Sequence, residues 1–370
     1  MMTTISGWAT PEGTRTYRER FIEAAPGHFR EPYGLSVSSI GIGTYLGTAD
    51  DTTDRHYINA VTQAVEHGIN VVDSAINYRF QRSERSIGKA LVRLKKKGID
   101  RNEVVIATKA GFLSFDGTAP ADPGEYIVRT YVDTGLLTMD DIAAGSHSIA
   151  PRYLDTQLNR SLENLGIGTI DIFYLHNPET QLEEVDRDVF AARMRAAFEV
   201  LESAVSDGRI RGYGAATWNA FRAGPQARGF VNLAEIVHLA REVGGDDHHF
   251  KFVQMPYNLS MREAHAARNQ RIEGLTRSPL EAAADLGLTV MASASMLQSR
   301  LTRNLPASFS QYLPGADTDG LRALQFVRST PGVTTALVGM SQKIHVEENL
   351  RLVRIPPASP DAVQAMFNAS

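Results

Sequence analysis

Short apolar runs, often β-branched, alternate along almost the whole chain with stretches whose apolar positions recur every three or four residues. The runs predict strands at 38–44, 69–73, 104–109, 170–175, 211–216, 251–255, 288–292 and 334–338. Most of them do not alternate, as expected of parallel strands covered on both faces. Between them, Leu154, Leu158, Leu162 and Leu165 form one helical stripe. Phe190, Met194, Ala197, Phe198, Leu201 and Val205 form another, and both read as core-facing sides of helices. Strand–helix repeats of this number favour an α/β fold of the closed (β/α)8 type, a TIM barrel, over an open doubly wound sheet. The open sheet needs a phosphate loop after its first strand. Gly41, Gly43 and Gly47 fall in that region, but their spacing is GxGxxxG and the first two lie inside the predicted strand.

Residues 1–370 are expected to form a single barrel domain with three additions. In the extension 1–37, segments around Thr16–Phe21 and Gly27–Tyr33 predict a hairpin closing the bottom of the barrel. The connections 110–150 and 217–231 are long, and both carry aromatic residues, which favours substrate-covering lids over disorder.

Composition narrows the partners. The chain has a formal net charge of -4 and no block of five like charges, so a broad nucleic-acid surface is not expected. The basic run Lys95-Lys96-Lys97 closes a predicted helix, where cations suit the helix dipole. There are 0 cysteines, which removes disulfides, thiolate metal sites and cysteine nucleophiles and is compatible with a reducing cytoplasm. No apolar stretch approaches the roughly 20 residues that span a bilayer. The first residues (MMTTISGWATPEG) lack the pattern of a secretory signal, so a cytoplasmic location is the expectation.

A (β/α)8 barrel places its site at the C-terminal ends of the strands. Read there, the second strand ends in Asp73, followed by Tyr78; the third ends in Lys109 and the fourth in His176. Singly, each is as well explained by a cap, an ion pair or packing. Together they are four ionisable groups converging on one rim from three consecutive strands.

These stretches, VVDSAINY with SERSIGKAL, then ATK, then DIFYLHNP, resemble the catalytic tetrad segments of the aldo-keto reductase superfamily. Further on, GRIRGYGAATW, FVQMPYN and PGVTTALVGMSQKIHVEENL resemble that family's fifth-, sixth- and eighth-strand segments. The resemblance runs from about residue 33 to residue 353. It implies reduction of an aldehyde or ketone, or oxidation of the alcohol, by hydride exchange with NADPH, with NADH as the alternative coenzyme. It further implies Tyr78 as proton donor, a Lys109 ammonium that lowers the phenol's pKa, Asp73 orienting the lysine and His176 placing the substrate oxygen.

For the coenzyme, the resemblance points to Thr44, Asp73, Thr217, Gln254, Ser293, Ser295 and Ser299 near the nicotinamide and pyrophosphate. It points to Ser341, His345, Glu348 and Asn349 at the adenosine end, with Lys343 as a cation for a 2′-phosphate. Some positions depart from the family pattern. Thr217 and Ala216 replace an asparagine and a serine, and His345 replaces a strong arginine. Ser293 stands where an aromatic ring commonly stacks on the nicotinamide, with Trp218 as a substitute. A lost stack is worth about 0.5–1.5 kcal/mol beyond area burial.

Two other readings compete. One is a non-catalytic, nicotinamide-binding, redox-sensing regulatory subunit. The other is a metal-dependent barrel hydrolase using His147, His176, His248 and His249; that pair precedes the sixth strand, at the wrong end of the barrel, and solvated surface histidines account for these residues better. No metal and no membrane partner are expected. The substrate itself is not legible beyond a small-molecule carbonyl or alcohol, with the two long connections favouring a sizeable polar carbonyl such as an oxidised sugar or a fused-ring ketone.

Overall fold

The computed structural model describes residues 4–368. Eight parallel strands close into a barrel. In chain order they are β1 (Ile40–Gly43), β2 (Val71–Asp73), β3 (Val105–Ala110), β4 (Ile170–His176), β5 (Ile210–Ala216), β6 (Phe250–Pro256), β7 (Thr289–Ser293) and β8 (Thr335–Gly339). Each pairs with its chain neighbour, and β8 returns to β1 with Leu337 opposite Gly41. A helix follows every strand: α1 (Asp51–Glu66), α2 (Arg82–Lys96), α3 (Pro151–Leu165), α4 (Arg187–Ser206), α5 (Leu233–Gly244), α6 (Pro279–Asp285), α7 (Asp319–Ser329) and α8 (Lys343–Leu350). All the predicted strands are present, shifted by no more than two residues at either end.

Two apolar layers hold this arrangement. Between strands and helices lies the larger core, which takes the two stripes read from the sequence: Leu154, Leu158 and Leu165 on α3, and Phe190, Met194, Phe198 and Leu201 on α4. Inside the barrel, Val71, Val105, Ile172, Tyr174, Phe252, Met291 and Leu337 fill the lumen. Gly41 belongs to this packing. A Cβ there would stand 2.7 Å from Leu337 Cδ2, so the glycine makes room for a lumen side chain rather than cradling a phosphate.

The floor is built by the N-terminal segment, though not as the predicted hairpin. Thr16 and its neighbours lie in a helix, Pro11–Glu19, with Thr10 as N-cap and proline at its start. That Thr-Pro-Glu signature favours a helix over a strand. The hairpin that does form pairs Phe29–Arg30 with Val37–Ser38. Ala9 and Val37 plug the lumen from below. The plug is pinned by Asp171, which accepts from the amides of Ala9 and Ile106 at 2.7 Å each and pairs with Arg101 at 2.7 Å.

The 110–150 connection is packed rather than loose. Leu113, Tyr131, Leu137 and Tyr153 form a small core of their own, and the Tyr131 hydroxyl donates to the carbonyl of Ser114. The 217–231 connection is likewise tied down: Asn269 donates to the carbonyls of Phe221 and Ala223, and Gln270 to that of Phe221. A second hairpin, Gln270–Ile272 with Leu275–Arg277, extends the connection after β6 and has no counterpart in the predicted elements. Among the described residues, no helix is long and apolar enough to cross a membrane.

Candidate active site

The C-terminal ends of the strands surround a cavity of about 510 Å³. Gly43 of β1, Asp73 of β2, His176 of β4, Ala216 of β5, Gln254 of β6, Ser293 of β7 and Gly339 of β8 all reach its wall. The remaining strand, β3, contributes Lys109, which is fully buried directly beneath.

The four groups singled out in the sequence meet here. Lys109 Nζ donates to Asp73 Oδ2 at 2.7 Å and to the carbonyl of Ser74 at 2.6 Å. The other carboxylate oxygen of Asp73 accepts from Gln254 Nε2 at 2.8 Å, so Asp73 is held from both sides. The ammonium lies 5.1 Å from the centre of the Tyr78 ring, and that ring meets His176 edge-on at 5.7 Å. Tyr78 and His176 are half-buried, and both face the cavity. The turn that presents Tyr78 is unusual: Arg79, Phe80 and Gln81 are three successive non-glycine residues with φ of 49°, 57° and 69°. Arg79 holds it by donating to the carbonyl of Thr48 at 2.9 Å and to Asp54, and Gln81 by donating to the carbonyl of Phe115 at 3.1 Å. Such backbone costs about 1–3 kcal/mol per residue and persists only where its surroundings over-determine it.

The electrostatics correct one expectation. Burial, then the Asp73 carboxylate and Tyr45, hold the Tyr78 phenol well above its ordinary pKa, so burial outweighs the pull of the nearby ammonium toward the phenolate. The geometry explains this: the Lys109 charge is matched by Asp73 and lies against the phenol ring. Burial depresses the Lys109 pKa against the opposing pull of Asp73. It depresses that of His176 too, helped by the Lys109 charge, which keeps the imidazole neutral. Its Nδ1 is buried without a partner, which leaves Nε2 as the nitrogen available to the cavity.

The proposed coenzyme residues divide in two. Thr44, Asp73, Thr217, Gln254, Ser293, Ser295 and Ser299 all line the cavity. The Thr217 hydroxyl is buried there without a hydrogen-bond partner. Ser341, His345, Glu348 and Asn349 lie outside the cavity wall, on or just before α8. Glu348 accepts from Thr318 at 2.6 Å, Asn349 is buried against Met340, and His345 is exposed. Lys343 faces Glu347 at 3.5 Å.

Sequence reasoning missed several wall residues: Tyr45, Leu46, Asn77, Phe112 and Asn177. Asn77 and Asn177 flank Tyr78 and His176 directly, so adjacency to the tetrad was the signal available. The histidines also need correction. His147 and His248 are buried rather than solvated, and burial pushes each pKa down to about 4. His147 donates from Nε2 to the carbonyl of His176 and accepts at Nδ1 from Gln181. Among the described residues, no group of three or more His, Cys, Asp or Glu is placed to hold a metal ion.

Comparison with known proteins bears on the family and the fold. A Schizosaccharomyces pombe protein named "Putative voltage-gated potassium channel subunit beta" is 31% identical over 199 residues, 53% of this chain and 46% of that protein. The NADH-specific methylglyoxal reductase of Escherichia coli is 27% identical over 191 residues, 50% of each chain. The matches thus span about half the length of these relatives. Among solved structures, the glycerol dehydrogenase AKR11B4 from Gluconobacter oxydans superposes with a TM-score of 0.65 at 17% identity, covering 93% of this chain and 95% of that one. An aldo/keto reductase from Klebsiella pneumoniae in complex with NADP and acetate gives 0.60 at 18% identity, covering 93% and 95%. At such identities these structures speak for the fold. The family itself is identified by sequence: the Aldo/keto reductase family model matches residues 39–228, more than half of the chain, and the chain belongs to that family.

Proposed function

We propose that this protein is an NAD(P)H-dependent carbonyl reductase acting on a small aldehyde or ketone, with Tyr78 as the proton donor. The observation that carries the reading is the meeting of a phenol, a carboxylate and an imidazole on one cavity wall with an ammonium buried against them, Lys109 and Asp73 joined at 2.7 Å and Tyr78 against His176. The cavity walls fit a nicotinamide. Among the described residues the Thr217 hydroxyl is without a partner and the Gln254 amide is bonded only through its nitrogen, so both provide polar partners for a carboxamide. A reduced nicotinamide, when bound, supplies hydride to the carbonyl carbon. Thr44, Ser293, Ser295 and Ser299 are the residues that would hold it, with Ser341, His345, Glu348 and Asn349 flanking the adenosine end.

The chain's own residues do the rest. His176 Nε2–H donates to the substrate oxygen and places the carbonyl beside Tyr78. Tyr78 keeps its proton while the site waits, because burial raises its pKa. As negative charge grows on the substrate oxygen, the proton moves from Tyr78 Oη to that oxygen. The phenolate left behind is stabilised by the Lys109 ammonium, which Asp73 keeps oriented.

A second reading, a nicotinamide-binding regulatory subunit, is favoured by the channel-subunit relative alone. Initial rates with NADPH and NADH across a panel of aldehydes and ketones separate the two. Multiple turnovers with any carbonyl support the reductase. Coenzyme that binds tightly, exchanges slowly and is never turned over supports the subunit and overturns the enzyme.

A further inference from the structure

Besides the proposed nicotinamide residues, the cavity wall carries two amides and three aromatic rings: Asn77, Asn177, Tyr45, Phe112 and Trp218. Asn177 follows His176 directly. Its backbone is left-handed, with φ 48° and ψ 56°, and is pinned on both sides: its N–H donates to Ala216 at 2.6 Å and its carbonyl accepts from Thr180 at 3.0 Å. The direction of its Cα–Cβ bond is therefore set by the main chain. Yet the Asn177 side-chain amide makes no hydrogen bond with any described residue, and neither does that of Asn77. Both are half-buried in the cavity wall. An amide brings two donors and two acceptor lone pairs, and half-burial leaves little water to satisfy them.

Charge points the same way. Among the described residues of the wall there is no lysine or arginine, and the one carboxylate, Asp73, is already paired. A substrate carboxylate or phosphate would enter without a counter-ion. A neutral polar group would find two open amides. Tyr45 packs on Tyr78 at 4.9 Å and Phe112 on His176 at 5.1 Å, so aromatic faces surround the spot where the carbonyl would stand.

Resting on the reductase reading above, we propose that Asn177, seconded by Asn77, sets specificity for an uncharged carbonyl compound bearing a hydroxyl within one or two carbons of the reacting carbon. The amide bonds that hydroxyl while His176 bonds the carbonyl oxygen. A site built to pair a substrate hydroxyl discriminates against the analogue lacking it, because its own polar groups are then left unpaired.

A left-handed asparagine is also a common backbone device, so the decisive variant is Asn177→Gly, which keeps that conformation and removes only the amide. The probes are glyceraldehyde, butanal and succinic semialdehyde, assayed with NADPH in the full chain. The expected wild-type order puts glyceraldehyde at least ten-fold above both others in kcat/KM. In N177G, glyceraldehyde falls at least ten-fold further than butanal. The inference is overturned if both fall together, if neither falls, or if wild type prefers succinic semialdehyde. Should no carbonyl be turned over at all, the reductase reading is what fails. Asn177 is then judged by ligand-observed NMR with erythritol: a signal weakened at least five-fold in N177G supports the amide as a hydroxyl-binding group, and an unchanged signal overturns it.

Discussion

The ring of His147, delivered by the long connection after β3, donates to the backbone carbonyl of His176 across 2.7 Å. Gln181 donates to the other ring nitrogen at 2.8 Å, and Arg193 donates in turn to the Gln181 carbonyl. A packed loop thus fixes the strand end that carries the imidazole. Replacing His147 by alanine removes partners from a buried carbonyl and a buried amide and leaves a void. The expected loss is about 2–4 kcal/mol of unfolding free energy, read by urea denaturation, together with a lower kcat.

The same residue gives a pH prediction. Burial pushes the His147 pKa from 6.5 down to about 4, so the unfolded chain takes up a proton at a pH where the fold still refuses it. The stabilising effect of the neutral ring is complete above 6.5 and is lost as pH falls toward 4, by up to about 3 kcal/mol. Melting temperature against pH should therefore decline on the acid side, less steeply in H147A. His28, similarly depressed to about 4, supplies part of the remaining slope.

Gly111 stands in the crease between these two histidines. A Cβ there would lie 2.5 Å from the His176 carbonyl oxygen and 2.7 Å from His147 Nε2, and both are too constrained to give way. Gly111→Ala is expected to displace the His176 strand end and lower kcat by at least ten-fold. The comparison is with Gly124→Ala, in a helix of the same connection, where a Cβ comes no nearer than 3.4 Å to another atom.

Breaking the Asp73–Lys109 pair leaves an uncompensated charge below the cavity. Asp73→Asn or Lys109→Met alone should cost about 3–5 kcal/mol of stability, while the double variant should recover a substantial part of that loss. Urea denaturation of all three measures the coupling directly. Turnover should be lost in every one of them, since the phenolate would have no stabilising ammonium properly held.

Glu179 accepts from the backbone N–H groups of Trp218, Asn219 and Ala220 at 2.8, 3.0 and 3.4 Å. It anchors the start of the connection after β5. Glu179→Ala should release this turn, change the fluorescence of Trp218 and raise KM, at a cost of about 1–3 kcal/mol. Glu179→Gln keeps an acceptor and should retain the turn. Burial raises the Glu179 carboxyl pKa, so its contribution is greatest at acidic pH and shrinks as pH rises. The stability of wild type relative to E179Q should decline in that direction.

The barrel was legible because its physics is local and repeated. Buried parallel strands need unbroken apolar runs, and covering helices need one stripe each, so all the barrel strands were placed. The convergence of Asp73, Tyr78, Lys109 and His176 was legible because strand ends project onto one rim. The helix Pro11–Glu19 was misread as strand when its Thr10–Pro11 start signal went unweighed. Phe112 was missed as a wall residue because nothing in its sequence neighbourhood says which way a loop side chain faces, whereas Asn77 and Asn177 stand beside Tyr78 and His176 and that adjacency went unweighed. The Tyr78 pKa was expected on the wrong side because sequence supplies the neighbouring charges but not the burial that outweighs them.

The central claim is that Tyr78 hands a proton to the substrate oxygen. The direct measurement is single-turnover oxidation of NADPH by glyceraldehyde, with the coenzyme Kd determined alongside, in wild type and Tyr78→Phe. The predicted result is a hydride-transfer rate at least 100-fold slower in the variant, consistent with the weight of a general acid, and coenzyme affinity that stays close to wild type. A Y78F protein that reduces the aldehyde at most of the wild-type rate would contradict the account.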